Sequence, residues 1–335
     1  MNESRGIYLV TGGTGFLAGW IVKKLLEGGR AVRTTVRSEA KADIVRNMLA
    51  SEGVDASGLE FAVADLGSED GWDEAMEDVG AVIHTASPLG GEDHEDPSLI
   101  PVAEAGVRNV LDAAIRRGVP RFVMTSSTAA NYPDKSCTDP AVDEDFWTDP
   151  DNRWITNYMR SKISAEKLAW EMAGGSGIEL VTILPGAIIG PSLGGRRSST
   201  DQICEMLLKG VPVPRAVYPV VDVRDLADLH ILAADSPAAA GQRFIAQSEE
   251  MTMPEMAEVL KGRYPGRKVS HLVIPNAIIG IAARFNTPMK VLNTMVGLSY
   301  HRDGSKARRV FGWDPRPAAD TITDTAECLI AMGIV

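Results

Sequence analysis

The sequence predicts an α/β protein built on a doubly wound parallel sheet, and three observations carry the prediction. Apolar runs of strand length recur up to residue 190, segments of helical periodicity separate them, and the first run leads into a glycine-rich turn that opens a helix. The strand candidates are Ile7–Val10, Ala31–Val36, Leu59–Val63, Ala81–His84, Arg121–Met124 and Leu180–Leu184. Their nearly continuous apolar character fits burial on both faces, as in an all-parallel sheet. The helical candidates are Leu17–Glu27, Glu39–Ser51, Ser68–Val79, Leu99–Arg117 and Arg153–Met172.

Beyond Gly190 the regularity fades. Residues 191–197 are rich in glycine, serine and arginine, and residues 211–219 hold three prolines, which are expected to forbid a central strand. Val223–Ala234 reads as a helix, Arg243–Ala246 as a short strand and Met253–Tyr264 as a helix, so the chain is expected to return to the sheet before it ends. The expected division is a nucleotide-binding domain of residues 1–190 plus about 222–247, and a smaller, loop-rich substrate region of about 191–221 and 248–335. There is no internal repeat.

Of 335 residues, 44% are hydrophobic and 24% charged, which excludes a disordered, collagenous or coiled-coil chain. The apolar stretches 178–190 and 271–283 are too short to span a bilayer and are broken by proline. A formal charge of −11 would repel a phosphate backbone, so nucleic acid is not an expected partner. Cys137, Cys204 and Cys328 lie far apart without CxxC spacing, the histidines are scattered, and Glu92–Asp96 reads as a solvated acidic loop, so no metal site is expected. The start of the chain leaves no room for a signal peptide, and a cytoplasmic location is the expectation.

Thr11-Gly12-Gly13-Thr14-Gly15-Phe16-Leu17-Ala18 follows the first strand. Glycines at 12 and 15 let backbone approach a pyrophosphate, whose charge is favoured by the free amides of the following helix. Where the second strand ends, an NAD enzyme would place an acid for the ribose hydroxyl; this chain has Arg37, with Lys41 one turn on and Arg33 as a further candidate. Guanidinium and ammonium groups there point to a 2′-phosphate, hence NADP(H). Asp65, closing the third strand, either accepts from the adenine amino group or caps the next helix. Thr85, Ala86 and Ser87 stand at the carboxyl edge of the fourth strand, where open α/β sheets bind ligands.

Tyr158 and Lys162 are spaced to share one face of a helix, unlike the same spacing at Tyr264 and Lys268, which proline and glycine interrupt. A phenol of pKa about 10 is protonated at neutral pH and can protonate the alkoxide formed when hydride reaches a carbonyl. A nearby ammonium, from Lys162, and the positive nicotinamide ring are expected to lower that pKa, and the remaining Lys162 protons to hold the nicotinamide ribose hydroxyls, with Tyr158 beside the cofactor. The fifth strand ends in Ser126-Ser127, and Ser127 is the chosen hydroxyl for the oxygen where charge develops.

Residues 11–18, Thr35–Ser38, His84–Pro88, Phe122–Ser127, Tyr158–Lys162, Pro185–Pro191 and Val221–His230 together resemble the extended short-chain dehydrogenase/reductases, in the dihydroflavonol-4-reductase-like branch that includes methylglyoxal and other aldehyde or ketone reductases. The resemblance covers nearly the whole chain. It implies a Rossmann-type fold and an NADPH-dependent reductase of a small aldehyde or ketone. Tyr158 would be the acid, Lys162 its positioning charge and Ser127 the oxygen-binding hydroxyl. Gly12, Gly15 and their neighbours Thr11, Phe16 and Leu17 would hold the pyrophosphate, Arg37 and Lys41 the 2′-phosphate, Asp65 and Leu66 the adenine, and Pro185 to Ile188 the carboxamide. Substrate contacts are expected from Pro88, Leu89, Tyr132, Trp154, Asn157 and the stretch 192–218. Two positions depart from the broader pattern: Ala18 stands for the third glycine, and Ala103 for the asparagine of many extended members. The rivals are a nucleotide-sugar epimerase or dehydratase, a hydroxysteroid-type alcohol dehydrogenase and a non-catalytic NADP-sensing module. Monomer and homodimer are both left open.

Overall fold

The first half of the chain alternates strand and helix as its periodicity predicts: β1 (Ile7–Thr11), α1 (Phe16–Glu27), β2 (Val32–Val36), α2 (Ala42–Ser51), β3 (Leu59–Val63), α3 (Trp72–Ala75), β4 (Val79–His84), α4 (Leu99–Arg116) and β5 (Arg121–Thr125). The computed structural model describes residues 6–87, 93–133, 137, 141–298 and 300–335. A two-residue strand β6 (Ala141–Val142) precedes α5 (Asn157–Ala173), and β7 (Glu179–Pro185) closes the regular part.

Then come β8 (Ala187–Ile189), α6 (Asp201–Leu208), β9 (Val213–Pro214), β10 (Val217–Asp222), α7 (Val223–Asp235) and β11 (Gln242–Ala246). The chain ends with β12 (Glu249–Thr252), α8 (Met253–Arg263), β13 (Val273–Ile274), α9 (Asn276–Ala282), α10 (Thr287–Thr294), β14 (His301–Arg302), α11 (Ser305–Phe311) and α12 (Ala318–Ala331). No helix among the described residues is long and apolar enough to cross a membrane.

Among the described residues, seven strands form one sheet in the order β11-β7-β5-β4-β1-β2-β3, parallel at every pairing. The order reverses beside β1, the kind of switch point where such sheets open a crevice at their carboxyl edge. Alternation along β1 sends Tyr8 and Val10 into a core with Ile21 and Leu25 of α1 and Leu226 and Leu229 of α7. Leu9 enters a second core with Val107 and Val110 of α4 and Ala165 and Ala169 of α5. Two helical layers therefore sandwich the sheet. A third core joins α6, α8 and α12 around Leu207, Leu260 and Ile322.

Two expectations need correction. The helix expected over Ser68–Val79 shrinks to Trp72–Ala75. Gly71 begins it with φ +81°, where a Cβ would meet the Val63 carbonyl oxygen at 2.2 Å, and Asp78 (φ 58°) turns the chain so that Val79 already belongs to β4. The prolines of residues 211–219 also fail to exclude a central strand, because Pro219 lies in β10, between β12 and β8. The ladder to β8 begins only at Val220, so the missing N–H falls where no partner strand needs it.

Candidate active site

The glycine turn is tied to β2 by hydrogen bonds from Gly12 N to Thr35 Oγ1 and from Gly13 N to the Thr35 carbonyl, both 2.9 Å. Gly12 has φ +74°, and a Cβ on Gly13 would stand 2.4 Å from Thr34 Oγ1. α1 then starts at Phe16 with no side-chain cap and no acid in its first turn, leaving first-turn amides for an anion. That arrangement fits a dinucleotide pyrophosphate.

The turn is part of a cleft of about 500 Å³ along the carboxyl edge of the sheet. Gly12, Gly15, Phe16, Leu17, Arg37, Leu66, Thr85, Ala86 and Ser87 line it together with Ser127, Tyr158, Lys162, Pro185 and Ile188. Thr11 lies behind this wall, fully buried. Lys41 is exposed in a short 3₁₀ turn before α2 and does not border the cleft.

The Arg37 side chain is 85% exposed, makes a loose contact from its Nε to Asp65 Oδ2 at 3.9 Å, and fits a 2′-phosphate. Arg33, the further candidate, is committed elsewhere: it pairs with Glu60 and donates to the Ala75 and Glu77 carbonyls, well back from the carboxyl edge. Asp65 caps no long helix; its Oδ1 accepts from Gly67 N at 2.8 Å in a tight turn.

α5 presents Tyr158 and Lys162 to the cleft. Its N-terminus is fixed by Thr156, whose hydroxyl accepts from Met159 N, and by the His94 carbonyl, which accepts from Tyr158 N at 2.9 Å. Lys162 is 8% exposed and donates to Ser87 Oγ at 2.7 Å; its Nζ lies 5.8 Å from the centroid of the Tyr158 ring. Burial brings its pKa down to about 8. Burial also raises the Tyr158 phenol above its ordinary value, and the hydrogen bond with Ser127 pulls the other way. Desolvation of the phenolate outweighs the Ser127 hydrogen bond.

The substrate-contact candidates are dispersed. Pro88 and Leu89 lie outside the described residues. Tyr132 is buried and donates from its hydroxyl to the Thr294 carbonyl at 3.0 Å, Trp154 stacks under Arg153, and Asn157 donates to the Glu95 carbonyl at 2.7 Å; none of the three lines the cleft. From the irregular stretch, Arg196 to Thr200 do line it. The acidic segment is more than a solvated loop. The His94 ring packs edge-on against Tyr158 with centroids 5.0 Å apart, and Glu95 pairs with Lys290 at 2.8 Å. Among the described residues no cluster could hold a metal ion.

Sequence reasoning missed Glu166, fully buried on α5 one turn beyond Lys162. It accepts from Ser126 Oγ at 2.6 Å and Thr182 Oγ1 at 2.7 Å and pairs with Arg243 of β11 at 2.9 Å. Ser126 is thereby fastened beside Ser127. An acid four residues beyond Lys162, and an arginine inside an apolar strand, were the available signals.

Fold and cleft define a dinucleotide-binding α/β protein, and the chain belongs to the NAD dependent epimerase/dehydratase family, whose profile matches residues 8–245. Within it, the chain is 34% identical over 267 residues to tetraketide alpha-pyrone reductase 2 of Arabidopsis thaliana, covering 77% of this chain and 83% of that one. It is 30% identical over 275 residues to dihydroflavonol 4-reductase of Zea mays, covering 78% and 76%. The crystal structure of yeast methylglyoxal/isovaleraldehyde reductase Gre2 complexed with NADPH superposes with a TM-score of 0.81 at 26% identity, covering 98% of this chain and all of that one. The resemblance to the extended short-chain enzymes of the dihydroflavonol-4-reductase-like branch holds, as does the Rossmann-type fold.

Proposed function

We propose that this chain is an NADPH-dependent reductase that converts the carbonyl of a small aldehyde or ketone to an alcohol. The observation that carries the reading is the convergence of Ser127, Tyr158 and Lys162 on the cleft whose other part holds the glycine turn and Arg37. The reductase relatives and the NADPH-bound neighbour support the same class.

Bound NADPH supplies the hydride. The first-turn amides of α1 hold its pyrophosphate, Arg37 its 2′-phosphate with Lys41 nearby, Asp65 and Leu66 border the adenine, and Pro185 to Ile188 face the carboxamide. Ser127 donates to the substrate oxygen as the C=O bond gives its electron pair to that oxygen. Tyr158 then transfers its proton there, and the Lys162 ammonium stabilises the phenolate left behind. Arg37, in place of an acid, disfavours the epimerase reading with tightly held NAD.

The test is NADPH oxidation across a panel of aldehydes, α-keto esters, diketones and aryl ketones, with Tyr158→Phe in parallel. Turnover by the natural chain and a loss of about a hundredfold or more in the variant are expected. Equal rates would remove Tyr158 as the acid, and no turnover with tight NADP binding would favour the sensing module.

A further inference from the structure

Two buried histidines behind Lys162 have tautomers that follow from counting donors and acceptors. Thr11 Oγ1 receives the backbone N–H groups of Thr85 and Ala86, both at 3.1 Å, and lies 2.9 Å from His84 Nδ1. A hydroxyl has two acceptor sites and one proton. With both acceptor sites taken, the Thr11 proton goes to Nδ1, so the neutral His84 ring carries its own proton on Nε2. Burial and the Lys162 charge push its pKa down to about 3, which keeps it neutral. His84 makes no other hydrogen bond among the described residues.

His230 has the opposite tautomer. Its Nδ1 lies 2.8 Å from the Leu226 carbonyl, which can only accept, so Nδ1 carries the proton. The bare Nε2 then accepts from the Thr125 hydroxyl, 2.8 Å away, leaving the lone pairs of Thr125 Oγ1 available.

His84, Thr125 and Lys162 line one small cavity of about 10 Å³, together with Ala103, Gly106 and Val107 of α4 and Met124 of β5. That is about the room one water needs. We propose that the cavity is a structural water site, in which one water accepts from His84 Nε2 and Lys162 Nζ and donates to Thr125 Oγ1, making His84 a positioning residue for Lys162. Three fixed partners suit the usual count for a buried water. Lys162 spends one proton on Ser87 and one on this water, keeping a third for the cleft. The small side chain of Ala103 leaves the space open.

The proposal rests on the reading of Lys162 as the charge behind Tyr158, and one arm of its test is independent of turnover. Nitrogen-15 spectra of the imidazoles, recorded from about pH 5 to 8, should show His84 protonated at Nε2 and His230 at Nδ1, both neutral throughout. His84 protonated at Nδ1 would overturn the water site. In the second arm, His84→Phe and His84→Gln are compared with the natural chain in NADPH-dependent turnover and NADPH affinity.

The ionisable groups facing Lys162 are Tyr158 on its own helix and His84 on β4, and the latter does not titrate in this range. His84→Phe should move the basic limb of the kcat/KM profile to lower pH and cut kcat about tenfold with NADPH affinity unchanged. His84→Gln, which can still donate from near the Nε2 position, should restore the limb. A Phe variant with the natural profile, or a Gln variant no better than Phe, would overturn the role. If the natural chain reduces no carbonyl, the proposed function fails, and the spectra still decide the tautomer on which the water site depends.

Discussion

Lys162 donates to the Ser87 hydroxyl at 2.7 Å, while its ammonium acts on Tyr158 only through space, across 5.8 Å to the ring centroid. Its charge is therefore held by a neutral partner in a buried place, and that makes it titratable. With its pKa near 8, kcat/KM for carbonyl reduction should fall as pH rises through about 8, read from initial rates at saturating NADPH. An unchanged rate up to pH 9.5 would show that the ammonium is not needed.

The same proton has a stability consequence of opposite direction. The folded chain releases it near pH 8, whereas an unfolded lysine keeps it to its ordinary value of 10.5. The unfolded state then binds more protons across that window, so the natural chain should gain stability relative to Lys162→Met as pH rises, by at most about 1.4 kcal/mol per pH unit. Urea unfolding of both proteins at pH 7, 8, 9 and 10 measures it; a difference independent of pH would contradict it.

Arg37→Ala should weaken NADPH by about ten- to a hundredfold and leave NADH nearly unchanged, since only the former offers a 2′-phosphate to the guanidinium. Titration of cofactor fluorescence gives both affinities. Parallel losses would assign Arg37 to some other part of the dinucleotide.

Removing one partner of the buried Glu166–Arg243 pair should be expensive. Glu166→Ala leaves the Arg243 guanidinium without its counter-charge and the Ser126 and Thr182 hydroxyls without their acceptor, and about 3–5 kcal/mol should be lost. Glu166→Leu combined with Arg243→Met should cost clearly less than the two single changes summed, as denaturant midpoints would reveal.

At Gly186, beside the cleft, a Cβ would lie 2.0 Å from the Pro219 carbonyl oxygen. Backbone, not a pliable side chain, is in the way. Gly186→Ala should separate the start of β8 from β10, its partner strand, and destabilise by more than about 2 kcal/mol, visible as a fall in Tm. A variant that melts with the natural protein would show that the two strands can part freely.

The parallel sheet was legible because strand-length apolar runs and 3.6-residue periodicity are local signals, and Ile7–Val10 or Leu99–Arg117 needed nothing else. α3 was not, since periodicity continues through Gly71 although its left-handed backbone starts the helix only there. Tyr158 and Lys162 were readable from spacing on one helix. Glu166 and Arg243 were not, because 77 residues separate them and only the arrival of β11 beside β7 brings them together. Arg33 could have been set aside earlier: it stands too far from the carboxyl end of its strand to reach a ligand.

That late pairing bears on how the molecule is made. A nascent chain that has not yet released residue 243 from the ribosome carries α5 with a carboxylate whose burial lacks its cation, so the helix bearing Tyr158 and Lys162 cannot settle against the sheet at full stability. Nucleotide-cradling segments near the amino terminus are complete long before then. Newly synthesised chains should thus acquire a binding cradle first and a reaction centre only when β11 docks.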